Sequence, residues 1–266
     1  MDDAREAAQD APTTLDAPRE DDGSLAEDAL APDASQTWCD THQGTELFCD
    51  DFDTSALPLP FASEVTLGSG TLSYSVNDYQ SAPRALLASL PAAASTAGDG
   101  GSEALLSRTF SRDGTHITLQ ADIEVGAGCF ANATTQESVT LLAFSFEKQS
   151  YALVLVETVG GTVLRELTLG ADGGVAGSSD HELSPGIPAG RWTTLNVDAQ
   201  LGLAKTVTAS VAGTRALSTK LSLAPVALAE PTLRLGAARD GAPVAAPAPA
   251  PACMVRVDDV LFDIKL

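Results

Sequence analysis

The stretch SVTLLAFSFEKQSYALVLVETVGGTVLRELTL, residues 138–169, decides the fold. It contains three largely apolar runs, 138–146, 151–158 and 162–169, which are separated only by EKQS and by VGG. Runs rich in Val, Leu and Thr that are joined by turns of a few residues indicate an antiparallel β-meander. The first two runs are nearly apolar on both faces, so we expect central strands of a sheet that is covered on both sides.

The neighbouring sequence continues this pattern of strands. In 115–125, apolar residues at odd positions alternate with Thr118, Gln120, Asp122 and Glu124, which is the pattern of a half-buried strand. Four more strands are expected at 191–199, 206–213, 214–223 and 231–238. Pro and Gly residues separate several of these runs, and no long helical pattern interrupts them. The sequence therefore predicts an all-β fold, an antiparallel sandwich of two sheets.

Residues 1–36 differ from the rest of the chain. They hold eleven acidic and two basic residues, interleaved with Ala, Pro and Ser. Such a composition predicts a disordered tail, followed by one β-sandwich domain over 37–266. A self-repelling acidic tail fits an extended spacer, and a solubilising leader fits equally well. The Pro- and Ala-rich run 242–252 is expected to form an exposed, polyproline-like segment.

The net charge of -21 argues against nucleic acid as a partner, because phosphate binding needs a clustered basic face. The apolar runs are much shorter than the ~20 residues of a spanning helix, so we expect no transmembrane segment. We also expect a monomer.

Four cysteines without a C-x-x-C motif, together with only three His, fit disulfides in an oxidising compartment better than zinc. Of the three possible pairings we expect Cys39–Cys49 and Cys129–Cys253, while four buried reduced thiols remain the alternative. Disulfides predict a protein that is secreted, periplasmic or on the outer surface. A lipid anchor is compatible with this location, and an export signal would then have been removed ahead of Met1.

Several segments together resemble a known family. They are FCDDFD (48–53), YQSAPRALLAS (79–89), GRWTTLNVDAQ (190–200), VTASVAGTRAL (207–217) and VRVDDVLFDI (255–264). In pattern and order they resemble the laminin G-like, concanavalin A-like jelly-roll domains of exported bacterial proteins, over about 38–266. The resemblance implies that the first and last strands pair in one sheet. Members include lectins, carbohydrate-binding modules, adhesion domains and glycan-cleaving enzymes, so the fold leaves the function open.

The last strand changes phase in its middle. Its apolar residues are Val255 and Val257 on odd positions, and then Val260, Phe262, Ile264 and Leu266 on even positions. One extra residue at Asp258 and Asp259 would produce this change, so a β-bulge is predicted there.

The bulge would bring Asp258 and Asp259 close to Asp50 and Asp51 of the first strand. Carboxylates that meet in this way repel one another unless a cation or hydrogen-bond donors neutralise them, and calcium prefers six to eight oxygen ligands. The resemblance implies a structural calcium ion held by these four residues. The alternative is that they cap turns, bond backbone N–H groups or stay solvated.

Catalysis has weak support in the sequence. A glycosidase needs two carboxylates about 5 to 9.5 Å apart, and Asp122 and Glu124 share one strand face. They do not reproduce the Glu-x-Asp-x-x-Glu motif of the glucanases that the resemblance includes, so a solvated strand face is expected instead. A lyase needs a Tyr or His base beside Arg or Gln, and the spacing of His116, His181 and Tyr151 gives no such signature.

Glycan binding would use aromatic and polar side chains together. Trp192 shares strand parity with Asn196 and Asp198, which makes these three residues the candidate ligand site, although the resemblance more often gives that Trp a packing role. Trp38, Tyr74 and Tyr79 are other possible platforms. We therefore expect a non-catalytic, lectin-like domain that binds a glycan or a cell-surface polysaccharide. The alternatives are a glycan-cleaving glycosidase or lyase and a structural or adhesion protein.

Overall fold

The structure is a computed structural model that describes residues 37–42, 48–53, 61, 63–92, 101–130, 138–171, 174–225, 229–239 and 251–265. The predicted tail 1–36 and most of the predicted polyproline-like segment lie outside these residues. Among the described residues, no helix has the length and apolar character needed to cross a membrane.

The described elements are one short helix, one 3-10 turn and strands β1 to β15, numbered in chain order. The helix α1 spans Trp38–His42, and the 3-10 turn spans Glu147–Gln149. The first sheet contains β1 (Phe48–Asp50), β3 (Thr71–Ser75), β4 (Ala85–Leu90), β6 (His116–Val125), β11 (Thr193–Gln200), β12 (Thr206–Val211), β13 (Thr214–Lys220) and β15 (Cys253–Lys265). The second sheet contains β2 (Ser63–Leu67), β5 (Ser102–Thr109), β7 (Ser138–Phe146), β8 (Tyr151–Thr158), β9 (Gly161–Leu169), β10 (Val175–Glu182) and β14 (Thr232–Arg239).

All paired strands are antiparallel. The order in the first sheet is β13-β12-β11-β6-β15-β4-β3, with β1 also paired to β15, and the order in the second sheet is β10-β9-β8-β7-β14-β5-β2. The predicted all-β sandwich of two antiparallel sheets is thus confirmed. The meander that begins at residue 138 forms β7, β8 and β9 side by side, as its short turns predict.

The core lies between the two sheets and is aliphatic with a small aromatic centre. The apolar residues of β6 at odd positions are all buried, and those of β11 follow the same alternation. Phe262 of the first sheet packs on Phe144 of the second, with ring centroids 5.7 Å apart, and on Phe110 at 4.8 Å. Fully burying side chains of this kind stabilises the fold by about 1.5–3 kcal/mol each.

Strand β15 changes its partner along one edge. Its first part, Cys253–Val257, pairs with β4, and its later part, Val260–Phe262, pairs with β1. The register with β6 shifts between Asp258 and Leu261, and Asp259 has a φ of 50°. The predicted bulge and the predicted pairing of the first and last strands are therefore confirmed. The two aspartates occupy the gap between β4 and β1.

The elements that were not predicted include α1 and the strands β2, β3, β4, β5 and β10. Strand β10 has almost no apolar alternation, because it is an edge strand whose side chains are mostly exposed. Helix α1 is a single turn, too short for a periodic pattern, and Cys39 within it forms a disulfide with Cys49 of β1. A second disulfide joins Cys129 to Cys253, so the structure contains both bonds of the expected pairing.

Candidate functional site

The outer face of the first sheet carries a groove of about 540 Å³. Five neighbouring strands form it, in the order β13, β12, β11, β6 and β15. Because the apolar side chains of these strands point into the core, the alternating polar ones point outward. The register arranges these outward side chains in two rows across the strands. The first row is Arg215, Ser210, Asn196, Gln120 and Leu261, and the second is Thr208, Asp198, Thr118 and Asp263.

The charged side chains of the groove differ in their partners. Asp198 Oδ2 lies 2.9 Å from His116 Nε2, at the end of β6. Asp263 is buried, accepts a hydrogen bond from the backbone N–H of Ile264 and lies 3.3 Å from the Lys265 ammonium group. Arg215 is exposed at the opposite side of the groove. The two acids therefore have basic neighbours in the fold, while the guanidinium group faces solvent.

The structure separates the three predicted ligand residues. Asn196 and Asp198 line the groove, whereas Trp192 lies just before β11 and does not line it. The Trp192 side chain is partly buried, and its indole N–H donates to Asp78 Oδ1 at 2.9 Å.

The other predicted aromatic platforms also lie away from the groove lining. Tyr74 is covered by the Arg84 guanidinium group at 4.1 Å, and Trp38 stacks on His42. Tyr79 is exposed in the segment that follows β3. Among the described residues that line the groove, there is no Trp or Tyr side chain.

Asp122 and Glu124 do not form an open catalytic pair. Both are buried, so the expectation of a solvated strand face is wrong at these positions. Glu124 Oε2 accepts from Arg256 Nη1 at 2.7 Å, and that guanidinium group also contacts Asp78 at 3.2 Å. Asp122 hydrogen-bonds with Asp259 and lies opposite Asp258 in the register of β6 and β15. The bulge and the segment after β3 thus cover this end of β6.

Asp258 and Asp259 are held by the segment that leads into β4. The backbone N–H groups of Gln80 and Ser81 donate to Asp258 Oδ2 at 3.0 and 2.9 Å. The Ser81 hydroxyl donates to Asp259 Oδ1 at 2.7 Å. Such donors satisfy part of the hydrogen-bonding capacity of the two carboxyl groups. The bulge is therefore the anchor for the 78–81 segment.

The carboxyl groups at the end of β1 and just after it also bind the backbone. Asp50 Oδ1 accepts from the N–H of Phe52 at 2.8 Å, and Asp51 Oδ2 accepts from the N–H of Cys39 at 2.9 Å. Asp53 Oδ1 accepts from the N–H of Arg84 at 3.3 Å. These contacts match the predicted alternative in which the aspartates bond backbone N–H groups.

The acidic cluster is defined here as Asp50, Asp51, Asp122, Asp258 and Asp259, and burial raises the pKa of several of its carboxyl groups. Burial raises the pKa of Asp258 to about 8, and the neighbouring Asp259 charge adds to this effect. Burial likewise raises the pKa of Asp50 and of Asp259 to about 7. It also raises the pKa of Asp122, whose carboxyl group hydrogen-bonds with that of Asp259.

The fit of this cluster to calcium is partial. Two buried oxygens, Asp50 Oδ2 and Asp122 Oδ1, have no hydrogen-bond partner, and a cation could coordinate them instead. Against this, within the part of the chain that the structure describes, no three His, Cys, Asp or Glu side chains are placed to hold one metal ion. Calcium at Asp50, Asp51, Asp258 and Asp259 therefore stays a prediction.

Most of the groove was not identified as a site from the sequence. The alternation of 115–125 places Gln120 on the outer face, and the same signal in TVTASV places Thr208 and Ser210 there. Arg215 is harder to find, because a register shift between Ala209 and Ser210 decides which residue lies opposite it. The missing information was the order of the strands, which brings β13 and β15 to one groove.

No family model and no curated protein matches this chain. Its fold is similar to that of an endo-β-1,4-glucuronan lyase from the fungus Trichoderma reesei, with a TM-score of 0.64 and 11% identity over 83% of this chain and 96% of that chain. A glycoside hydrolase family 16 endo-glucanase from Bacteroides ovatus gives a TM-score of 0.57 and 9% identity over 81% of this chain and 99% of that one. An alginate lyase in complex with an alginate trisaccharide gives 0.50 and 12% over 82% and 98%. At such identities the likeness shows the fold alone, a concanavalin A-like jelly roll.

Proposed function

We propose that this chain is an exported, non-catalytic carbohydrate-binding protein whose ligand lies in the groove of the first sheet. The observation that carries the proposal is the pair of rows of mostly polar side chains, one across five adjacent strands and the other across four. Strands lie about 4.8 Å apart, so five positions in a row span about 19 Å, which suits a short oligosaccharide laid across the strands. Amide, hydroxyl and carboxylate groups at regular intervals match the donors and acceptors of sugar hydroxyls.

The state of the nearby acids supports binding without cleavage. A glycosidase needs one protonated and one ionised carboxyl group that both reach the sugar. Of the two acids in the groove, Asp263 is buried beside Lys265 and Asp198 contacts His116. Asp122 and Glu124 are buried, and Glu124 is paired with Arg256. This arrangement is suited to orienting a ligand more than to transferring protons between two carboxyl groups.

A second candidate function is glycan cleavage by a lyase, because of the contact between His116 and Asp198. A histidine that is oriented by a carboxylate is a common general base, and Asp198 lines the groove. Proteins named as a glucuronan lyase and an alginate lyase share the fold. Cleavage would appear as new unsaturated sugar ends on incubation, and their appearance would replace the binding function with this one.

The two disulfides support an exported location, since such bonds persist in oxidising compartments. A lipid anchor and the assignment to laminin G-like domains stay predictions. The proposal includes a bound calcium ion, because two buried oxygens lack hydrogen-bond partners. The ligands of this ion would include Asp50 and the neighbouring residues of the acidic cluster.

The proposal is tested by measuring the affinity of the full chain for a panel of soluble neutral and acidic oligosaccharides. For an oligosaccharide that binds, Asn196→Ala and Gln120→Ala should each raise the Kd about fivefold, the effect of one lost hydrogen bond. Thr66→Ala, an exposed change on the second sheet, is the matched control and should have no effect. Binding that neither groove variant weakens, or no binding to any oligosaccharide, would overturn the proposal.

A further inference from the structure

Among the described residues that line the groove, Arg215 alone has a positively charged side chain, on an otherwise strongly acidic protein. Arg215 is exposed on β13, opposite Ser210 of β12. Asp198 and Asp263, the two acids that line the groove, are each beside a basic residue of their own. No carboxylate of the described residues forms a salt bridge with Arg215. A chain of net charge -21 repels anions in general, so an accessible guanidinium group in its groove is a local exception.

The groove also offers no flat aromatic surface. Sugars are often oriented by stacking on Trp or Tyr, and neither lines this groove among the described residues. Phe262 lies beneath it but is fully buried in the core. Orientation of a ligand must therefore come from hydrogen bonds and charge. An exposed guanidinium group forms its strongest hydrogen bonds with anionic acceptors, so Arg215 favours an anionic ligand group.

We propose that the groove is specific for acidic glycans and that Arg215 binds a carboxylate of a uronic acid residue. The inference rests on the proposed function, because it names the ligand class of the same groove. A guanidinium group presents two parallel N–H donors that match the two oxygens of a carboxylate. From Arg215, the first row continues through Ser210, Asn196 and Gln120, which would bond the hydroxyls of the following sugars.

The test uses three uronate tetrasaccharides, of galacturonate, glucuronate and alginate type. Each is paired with its own carboxyl-reduced form, in which primary alcohols replace the carboxyl groups. Calorimetry with the full chain gives a Kd for both members of every pair. We expect at least one uronate to bind about tenfold more tightly than its reduced form. Arg215→Gln should remove this preference by weakening only the uronate, and Arg215→Lys should keep part of it.

Lys220→Gln is the matched control, because it removes one positive charge from the same strand outside the groove lining. It should leave both affinities unchanged. Equal loss in the Arg215→Gln and Lys220→Gln variants would show a general charge effect and overturn the inference. A sulfated tetrasaccharide without carboxyl groups that binds as tightly as the uronate would overturn the carboxylate assignment.

The two proposals fail in different ways. If neutral oligosaccharides bind as tightly as uronates and Asn196→Ala weakens both, the groove binds glycans but the role of Arg215 is wrong. If no member of any pair binds, the proposed function itself fails, and the inference fails with it.

Discussion

Alkaline pH should destabilise this protein through the acidic cluster. Asp258 is fully buried, and its pKa is raised from 3.8 to about 8. Because the folded chain holds this proton more tightly than the unfolded chain, the stability it contributes is complete below about pH 4. That stability falls progressively as the pH rises from about 4 and is gone above about 8. The direction is opposite to that of a carboxylate in an ion pair.

The expected loss is large for one side chain. Between pH 5 and pH 8, deprotonation of Asp258 alone should lower the free energy of unfolding by about 4 kcal/mol. For a domain of this size, such a change lowers the Tm by roughly 10 °C. Asp50 and Asp259 have raised pKa values for the same reason and act in the same direction, although coupled groups do not add fully.

The assay is thermal unfolding of the full chain in EDTA, at steps from pH 5 to pH 8. Asp258→Asn imitates the protonated carboxyl group and should flatten the pH dependence, whatever its effect on the stability at pH 5. Asp180→Asn is the control, because Arg165 lowers the pKa of that more exposed carboxyl group, and its removal should leave the alkaline loss intact. A wild-type Tm that is equal or higher at pH 8, or an unchanged slope in Asp258→Asn, would refute the reasoning.

Three further predictions use the same assay. Millimolar calcium should raise the Tm at pH 8, with reversal by EDTA and no rise in Asp259→Asn, and an unchanged wild-type Tm would refute the calcium prediction. Glu166→Ala should lower the unfolding free energy by about 3 kcal/mol, because this fully buried carboxylate accepts from His181 and from the N–H groups of Ser222 and Leu223, whereas the exposed neighbour Glu182→Ala should have little effect. Replacing Cys129 and Cys253 by Ala should destabilise the chain by about 2 kcal/mol more than replacing Cys39 and Cys49. The Cys129–Cys253 bond closes a loop with a sequence separation of 124, whereas the Cys39–Cys49 bond closes one of only 10. Equal losses for the two pairs would contradict the loop-length argument.

Local patterns predicted the strands well where both faces are buried, as in β7 and β8, and where burial alternates between the two faces, as in β6 and β11. The runs of β7, β8 and β9 have strong apolar character, and β6 and β11 alternate with period two. The phase change in β15 also located the bulge correctly, because a residue-by-residue alternation records which face each side chain takes. These properties depend on neighbours along the chain.

The site could be predicted only in part, because it depends on which strands are neighbours. The alternation of side chains along β11 correctly placed Asn196 and Asp198 on one face. Trp192 lies just before that strand, and its indole N–H donates to Asp78. Asp122 has the polar pattern of a solvated face and is nevertheless buried. Its burial comes from Asp259 and from the segment around Ser81, which is distant in sequence.

Asp122 and Gln120 show how the outer face of the first sheet is divided. They are two residues apart on the same side of β6, yet Gln120 lines the groove and Asp122 is buried. The bulge separates them, because it shifts the partner of β6 from Asp258 to Leu261 between these positions. It also supplies the carboxyl groups that hold Ser81. The extra residue in β15 therefore sets where the open part of the face begins, so a variant that loosens the bulge should alter both the stability of the fold and the extent of the groove.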